Sequence, residues 1–104
     1  MTEPAANTTT LAEYQTEARR TIRRALTDDQ RLLDAAAGLS EEAGEVLSHV
    51  RKHVLQGRPL DRDALTLELG DALWCVAITA DTLGISLEEV ARRNVDKLRG
   101  RHPP

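Results

Sequence analysis

The chain has 104 residues, which is the length of one domain, and its net charge of −3 gives no sign of a nucleic-acid polymer as partner. Tyr14 and Trp74 are its only aromatic residues, so the core must be built from Leu, Val, Ile and Ala, which suits closely packed helices. The single cysteine, Cys75, excludes an intrachain disulfide, and no apolar run is long enough to span a membrane, so we expect a cytoplasmic protein with no membrane partner.

The first nine residues, MTEPAANTT, show no hydrophobic periodicity, and we expect a disordered leader over residues 1–9. The remainder, residues 10–104, shows no alternation of apolar and polar residues of the kind that predicts β-strands. We therefore predict a single all-α domain over residues 10–104.

Helix start and stop signals divide this domain into four segments. Capping-box pairs, in which a Ser or Thr precedes a Glu or Gln by three residues, predict helix starts at Thr10, Thr27 and Ser86. Gly57 and Gly84 predict helix ends. The four predicted helices cover residues 10–26, 28–55, 62–83 and 87–100. The pattern indicates a four-helix, bundle-like protomer.

The second predicted helix carries three glutamates beside its apolar stripe. In SEEAGEV, residues 40–46, a helical advance of about 100° per residue places Glu42 and Glu45 together on one edge of the stripe, whereas Glu41 points toward solvent. The stripe is formed by Leu32, Ala36, Leu39, Ala43, Val46 and Val50. A pair of carboxylates one turn apart therefore borders apolar surface.

The third predicted helix is apolar on two opposite sides. One stripe, the expected core, is formed by Leu65, Leu69, Ala72, Leu73, Val76, Ala80 and Leu83. The other patch is formed by Leu67, Trp74 and Ile78, which we interpret as a subunit interface. Glu68 and Asp71 lie on the strip between the two. Because one small chain cannot cover both sides, we expect at least a homodimer.

These two carboxylate pairs predict a cation site. Like charges at this spacing repel, and carboxylates beside apolar surface destabilise a fold unless they gain partners. Mg²⁺ and Mn²⁺ prefer oxygen ligands, so four carboxylates from two facing helices would hold such an ion and leave room for water and phosphate. Solvated surface carboxylates are the alternative. A di-iron bundle would use Glu-x-x-His, but His49 is four residues after Glu45 and the third helix has no His.

The fourth predicted helix offers the opposite charge. Asn94, Lys97 and Arg101 share a helix face with the apolar Val90 and Leu98. Polar and basic side chains on an apolar stripe are typical of a site that holds an anion. The alternative is that Lys97 and Arg101 extend from the end of the helix into solvent.

Four segments together resemble the MazG-like all-α nucleoside triphosphate pyrophosphohydrolases: YQTEARRT, GLSEEAGEVLSHVRK, ELGDALW and LGISLEEVARRNVDKLRGRHP. The resemblance runs from about Leu11 to Pro103 and includes the signature E-E-x-x-E followed by E-x-x-D, with a trailing N-x-x-K-L-x-x-R. It implies an all-α bundle that dimerises, often as a dimer of dimers and so a homotetramer. It also implies Mg²⁺-dependent hydrolysis of nucleoside triphosphates to monophosphate and pyrophosphate, in nucleotide-pool house-cleaning, with Mn²⁺ as a substitute cation.

The resemblance implies roles for the residues at matching positions. The implied metal ligands are Glu42, Glu45, Glu68 and Asp71. The implied phosphate-binding residues are Lys52, Asn94, Lys97 and Arg101. Glu41 or Glu45 would be the catalytic residue that orients the attacking water or takes its proton. Tyr14 and Gln15 are candidates for contact with the base, with a core position as the alternative for Tyr14.

Other functions stay open. Relatives often carry a Tyr where this chain has Cys75 and His102, so the preferred base and sugar do not follow from the sequence. An enzyme of the same superfamily acting on phosphoribosyl-ATP is one alternative. A helical dimerisation module whose carboxylates are idle is another, and cation-dependent stabilisation would distinguish it from an enzyme.

Overall fold

The computed structural model describes residues 9–104, which form four α-helices and no strand. The helices are α1 (Leu11–Arg19), α2 (Asp28–Gln56), α3 (Arg62–Thr82) and α4 (Leu87–Arg101). The all-α prediction is thus confirmed for this part of the chain. The leader predicted over residues 1–9 lies, apart from Thr9, outside the described residues.

Local sequence signals set the starts of the first two helices. The Thr10 and Thr27 side chains accept hydrogen bonds from the backbone N–H groups of Glu13 and Gln30, at 3.1 and 3.2 Å. The Glu13 and Gln30 side chains accept in return from the backbone N–H groups of the two threonines, both at 2.9 Å. These capping boxes satisfy N–H groups that have no partner inside the helix. Gly57 ends α2 in the left-handed conformation, with φ of 67°.

The first helix is shorter than the predicted residues 10–26. The backbone N–H groups of Thr21 and Ile22 bond to carbonyls three residues earlier, which tightens the chain into turns after Arg19. The Thr21 hydroxyl donates to the Ala18 carbonyl at 2.8 Å and accepts from the Trp74 indole N–H at 2.8 Å. A contact with a distant helix thus fixes the segment that a local pattern assigned to α1.

The interior is built mainly from small residues. α2 packs along α3, α1 packs against α3 and α4, and α4 meets α3 at a bend of 103°. The buried cluster consists of Ala18, Ala35, Ala77, Ile78, Ala80 and Leu87. Among the described residues, Ile78 is the only large side chain that is fully buried. Helices that pack through alanine approach each other closely, but they bury little apolar area.

The structure reverses part of the predicted division of α3 into a core side and an interface side. Ile78 is only 1% exposed, and Trp74 packs against the buried cluster, so the interpretation of these two residues as a subunit interface was wrong. Leu69 and Leu83, predicted as core, are 54% and 56% exposed. The indole hydrogen bond to Thr21 anchors the Trp74 side inward, and nothing in the periodicity of α3 indicates which side the rest of the chain covers.

Many large apolar side chains remain exposed in the protomer. They are Leu11, Leu33, Leu39, Leu47, Val50, Val54, Leu55, Leu67, Leu69, Leu73, Leu83, Ile85, Val90, Val95 and Leu98. Leu39, Leu83, Ile85 and Val90 line one apolar pocket, and shared apolar surface of this kind is typical of subunit interfaces. Dimerisation itself stays a prediction.

Over residues 9–104, no single helix is both long enough and apolar enough to cross a membrane. Only α3 and α4 taken together, across the bend between them, have the required length and hydropathy.

Candidate metal centre

Three carboxylates from two helices meet where α2 packs on α3. Glu42 of α2 and Glu68 and Asp71 of α3 each bring one carboxylate oxygen within 4.8 Å of the others. The spacing of three residues places Glu68 and Asp71 on one face of α3, one turn apart, and this face meets Glu42. Glu42 and Glu68 are half-buried, and Asp71 is exposed. We call these three residues the acidic cluster.

The acidic cluster is electrostatically unfavourable without a partner of positive charge. The Oε2 atoms of Glu42 and Glu68 are both buried and have no hydrogen-bond partner in the described part of the chain. The pKa of Glu42 is raised by desolvation and then by the negative charges of Glu68, Asp71, Glu45 and Glu41. Buried carboxylate oxygens without donors cost free energy, so the arrangement indicates a ligand that supplies positive charge.

The donor set fits a hard divalent cation. All three groups are carboxylates, which Mg²⁺ and Mn²⁺ prefer over nitrogen or sulfur ligands. Such an ion would accept the lone pairs of the two buried Oε2 atoms and offset the charge that raises the pKa of Glu42. Three carboxylates also leave coordination positions for water and for phosphate oxygens.

Glu41 and Glu45 border the acidic cluster without joining it. Both are exposed on α2, and their charges contribute to the raised pKa of Glu42, so they lie near that carboxylate. Neither belongs to the set whose oxygens approach within 4.8 Å. The role of Glu45 as a metal ligand, and that of Glu41 or Glu45 as the catalytic residue, stay predictions.

The predicted phosphate-binding residues are divided between α2 and α4. Lys52, Asn94, Lys97 and Arg101 are all exposed. The last three belong to residues 92–101 of α4, all of which are exposed. α4 turns away from α3 by 103° and makes no close backbone contact with α2 in the described residues. Asn94, Lys97 and Arg101, which we predicted to hold an anion, therefore face solvent in the protomer.

The two candidates for base contact have different surroundings. Tyr14 is half-buried against the core, and its pKa is raised by burial and then by the charge of Asp71, so its ring lies near the acidic cluster. Gln15 is buried, its amide N–H₂ donates to the Ile85 carbonyl, and its amide oxygen accepts from the Leu87 N–H, both at 2.9 Å. Gln15 therefore ties α1 to the turn before α4. Contact of either residue with a base stays a prediction.

The contact between Gly38 and Cys75 was not predicted from the sequence. Cys75 is buried one turn after Asp71, and its pKa is raised by burial and then by the charge of Glu42. Gly38 lies opposite it on α2, so close that a Cβ atom there would be 2.9 Å from the Cys75 Sγ atom. The signal available in the sequence is a glycine in the interior of a long helix, where glycine is unfavourable.

Comparison with known proteins gives one family. The profile of the MazG nucleotide pyrophosphohydrolase domain matches residues 30–104. The Gene 37 protein of Mycobacterium phage L5 is 41% identical over 69 residues, which cover 62% of this chain and 60% of the phage protein. Uncharacterized protein YvdC of Bacillus subtilis (strain 168) is 36% identical over 72 residues, which cover 61% of this chain and 68% of that protein. The chain thus spans about three fifths of the length of the phage relative. No solved structure gives a significant match.

Proposed function

We propose that this chain, which belongs to the MazG nucleotide pyrophosphohydrolase family, hydrolyses nucleoside triphosphates to the monophosphate and pyrophosphate. The cofactor is Mg²⁺, with Mn²⁺ as a substitute. The proposed substrates are ribo- or deoxyribonucleoside triphosphates. The physiological setting is house-cleaning of the nucleotide pool in the cytoplasm.

The observation that carries the proposal is the acidic cluster with its two buried, unpartnered oxygens on Glu42 and Glu68. A surface patch of solvated carboxylates would have both oxygens of each group in water. Here two oxygens are withdrawn from water and accept no hydrogen bond from residues 9–104, which is the condition under which a bound cation stabilises most. A triphosphate brings further negative charge, so it can approach this site only together with a cation.

In the proposed reaction, a water oxygen bonds to the α-phosphorus while the bond from that phosphorus to the α,β-bridging oxygen breaks. Pyrophosphate leaves with the bridging oxygen. Glu42, Glu68 and Asp71 would hold the cation, which would offset phosphate charge and lower the pKa of the attacking water. Glu45 or Glu41 takes the proton of the attacking water. Most of the rate enhancement then comes from positioning and charge stabilisation.

The leaving pyrophosphate needs donors, and we assign this role to Lys52, Asn94, Lys97 and Arg101. Because the last three lie on a part of α4 that faces solvent and has no close backbone contact with α2 in the described residues, we infer that a second copy of the chain brings them to the acidic cluster. The exposed leucines of α3 and the exposed Ile85 and Val90 support such an arrangement, since a second copy would cover them. The proposed assembly is a homodimer or a homotetramer built as a dimer of dimers.

The test is a panel of standard and damaged nucleoside triphosphates, incubated with the purified full chain and Mg²⁺. Monophosphate and pyrophosphate are both measured, and they should appear in equal amounts. Glu68→Gln, which removes one negative charge from the acidic cluster and keeps the size of the side chain, serves as the inactive control. Release of orthophosphate in place of pyrophosphate, or no turnover of any nucleotide, would contradict the proposal.

A further inference from the structure

The contact between Gly38 and Cys75 depends on the absence of a side chain at residue 38. A Cβ atom on Gly38 would lie 2.9 Å from the Cys75 Sγ atom, which is closer than Cβ atoms approach a neighbour in real structures. The other buried positions nearby on the two helices are also small, with Ala35 on α2 and Ala77 on α3. The two helices therefore approach each other closely in this region.

This contact lies beside the acidic cluster on both helices. Gly38 precedes Glu42 by four residues, and Cys75 follows Asp71 by four residues, so each pair is separated by about one helical turn. The charge of Glu42 acts on the Cys75 thiol, which places the thiol near that carboxylate. The distance between α2 and α3 at Gly38 therefore also determines their distance at the acidic cluster, one turn further on.

We propose that Gly38 is a positioning residue for the cation site. Its missing side chain lets α2 approach Cys75 and so keeps the Glu42 carboxylate close enough to those of Glu68 and Asp71 for all three to bind one cation. The proposal rests on the function proposed above, in which these three carboxylates hold a divalent cation. It adds a residue that neither binds the ion nor touches the substrate, yet decides how well the ligands fit.

Glycine at this position is not explained by helix formation. Four glycines lie inside the described helices, at residues 38, 44, 70 and 100, and each weakens its helix relative to alanine. At Gly44, Gly70 and Gly100, an added Cβ atom would meet nothing within 4 Å. Gly38 alone among these four has a neighbour in the protomer that requires the missing side chain.

The thiol has little freedom to move aside. Cys75 is 5% exposed, and a side chain in a helix interior has two favourable χ1 rotamers rather than three. A methyl group at residue 38 should therefore push α2 away from α3. Coordination distances tolerate changes of about 0.2 Å, and Mg²⁺ demands nearly ideal geometry, so a small separation of the helices should weaken cation binding.

The experiment measures Mn²⁺ binding to the full chain by electron paramagnetic resonance, with no nucleotide present. Gly38→Ala should weaken Mn²⁺ binding by at least about tenfold, which is the usual effect of disturbing residues that support metal ligands. Gly44→Ala is the matched control in the same helix and should stay within about threefold of wild type. The double variant Gly38→Ala, Cys75→Ala removes the clashing sulfur and should restore the affinity, whereas Cys75→Ala alone should change it little.

Circular dichroism separates positioning from folding, because Gly38→Ala should keep the helical content of wild type. Should that variant unfold, Cys75→Val enlarges the same contact from α3 and should weaken Mn²⁺ binding in the same way. Wild-type affinity in Gly38→Ala, or weak binding that Cys75→Ala does not rescue, overturns the positioning role and leaves the proposed function standing. Absence of Mn²⁺ binding in wild type overturns both.

Discussion

Glu42 and Glu68 lie on neighbouring helices, each with its Oε2 atom buried and unpartnered in the described part of the chain. The burial of these two oxygens cannot be predicted from the sequence of either helix alone, because each oxygen loses its contact with water only when the two helices pack. The same packing that forms the core thus creates the charge density of the acidic cluster. A bound cation would relieve this cost and couple metal binding to the stability of the fold.

The first prediction follows from that coupling. Mg²⁺ or Mn²⁺ should raise the melting temperature of the full chain, because an ion that binds the folded state better than the unfolded chain stabilises it. At a concentration one hundred times the dissociation constant the stabilisation is about 2.7 kcal/mol, which corresponds to a shift of roughly 10 °C or more for a domain of this size. Excess chelator should reverse the shift, as measured by differential scanning calorimetry.

Two variants make that measurement specific. Glu68→Gln should lose most of the Mg²⁺-dependent shift because it removes a cluster carboxylate. Glu88→Gln removes an equal charge from the exposed first turn of α4, so its response to the cation should equal that of wild type. An equal response in both variants would show that the ion acts on general surface charge rather than on the acidic cluster.

The second prediction concerns pH in the absence of divalent cations. The pKa of Glu42 is raised above its ordinary value of 4.5 in the folded chain, first by desolvation and then by its acidic neighbours. The folded state therefore holds this proton more tightly than the unfolded chain does. As pH rises from about 4.5 through the folded pKa, ionisation of Glu42 should destabilise the fold.

Glu42→Gln removes that ionisation. In excess chelator its melting temperature should exceed that of wild type at pH 7, and the advantage should shrink as the pH is lowered toward 4.5. With Mg²⁺ present the order should reverse, because only wild type gains from the ion. A variant that is less stable than wild type at pH 7 in chelator would show that Glu42 is stabilised by contacts other than a cation.

The third prediction separates ligands from the catalytic base. Glu68→Gln should lose both Mn²⁺ binding and turnover. Glu45→Gln should lower kcat by about 10²-fold or more, the range of general-base catalysis, while Mn²⁺ affinity changes by less than about threefold. The reason is that Glu45 lies beside the acidic cluster but outside its three-carboxylate set. Equal losses of affinity in the two variants would make Glu45 a ligand, as the sequence resemblance implies.

The parts of this molecule that follow from the sequence are the local ones. The capping boxes at Thr10 and Thr27 form within four residues, and the spacing of Glu68 and Asp71 fixes their common helix face. The parts that do not follow depend on distant contacts. The end of α1 depends on the hydrogen bond between Thr21 and Trp74, and periodicity cannot decide which of two apolar sides of α3 faces inward.

The same limit applies to the acidic cluster. Sequence spacing brings Glu42 and Glu45 together as well as it brings Glu68 and Asp71 together. In the protomer, however, Glu45 lies outside the set of carboxylates whose oxygens approach within 4.8 Å of one another. The close approach at Gly38 is likewise invisible until Cys75 is placed opposite it. In each case the missing information is the separation and rotation of α2 relative to α3.

The last prediction concerns Lys97, which lies with Asn94 and Arg101 in the solvent-facing part of α4. If a second copy brings it to the triphosphate, it donates a charge-assisted hydrogen bond to a group whose charge grows in the transition state. Lys97→Ala should then lower kcat/KM by at least about tenfold, or ~1.4 kcal/mol. The control is Arg23→Ala, which removes an exposed basic side chain after α1 and should leave kcat/KM nearly unchanged.

A mixed assembly tests whether Lys97 serves the acidic cluster of its own chain or that of a partner. Consider a heterodimer of one Lys97→Ala chain and one Glu68→Gln chain. If each active centre combines the acidic cluster of one chain with Lys97 of the other, one centre carries neither change and the other carries both. Random mixing of the two impaired variants should then give about a quarter of wild-type turnover, because half of the dimers carry one intact centre of two. If each chain supplied its own Lys97, every centre would carry one change, and the mixture would show only the average turnover of the two variants. The exposed position of Lys97 in the protomer favours recovery.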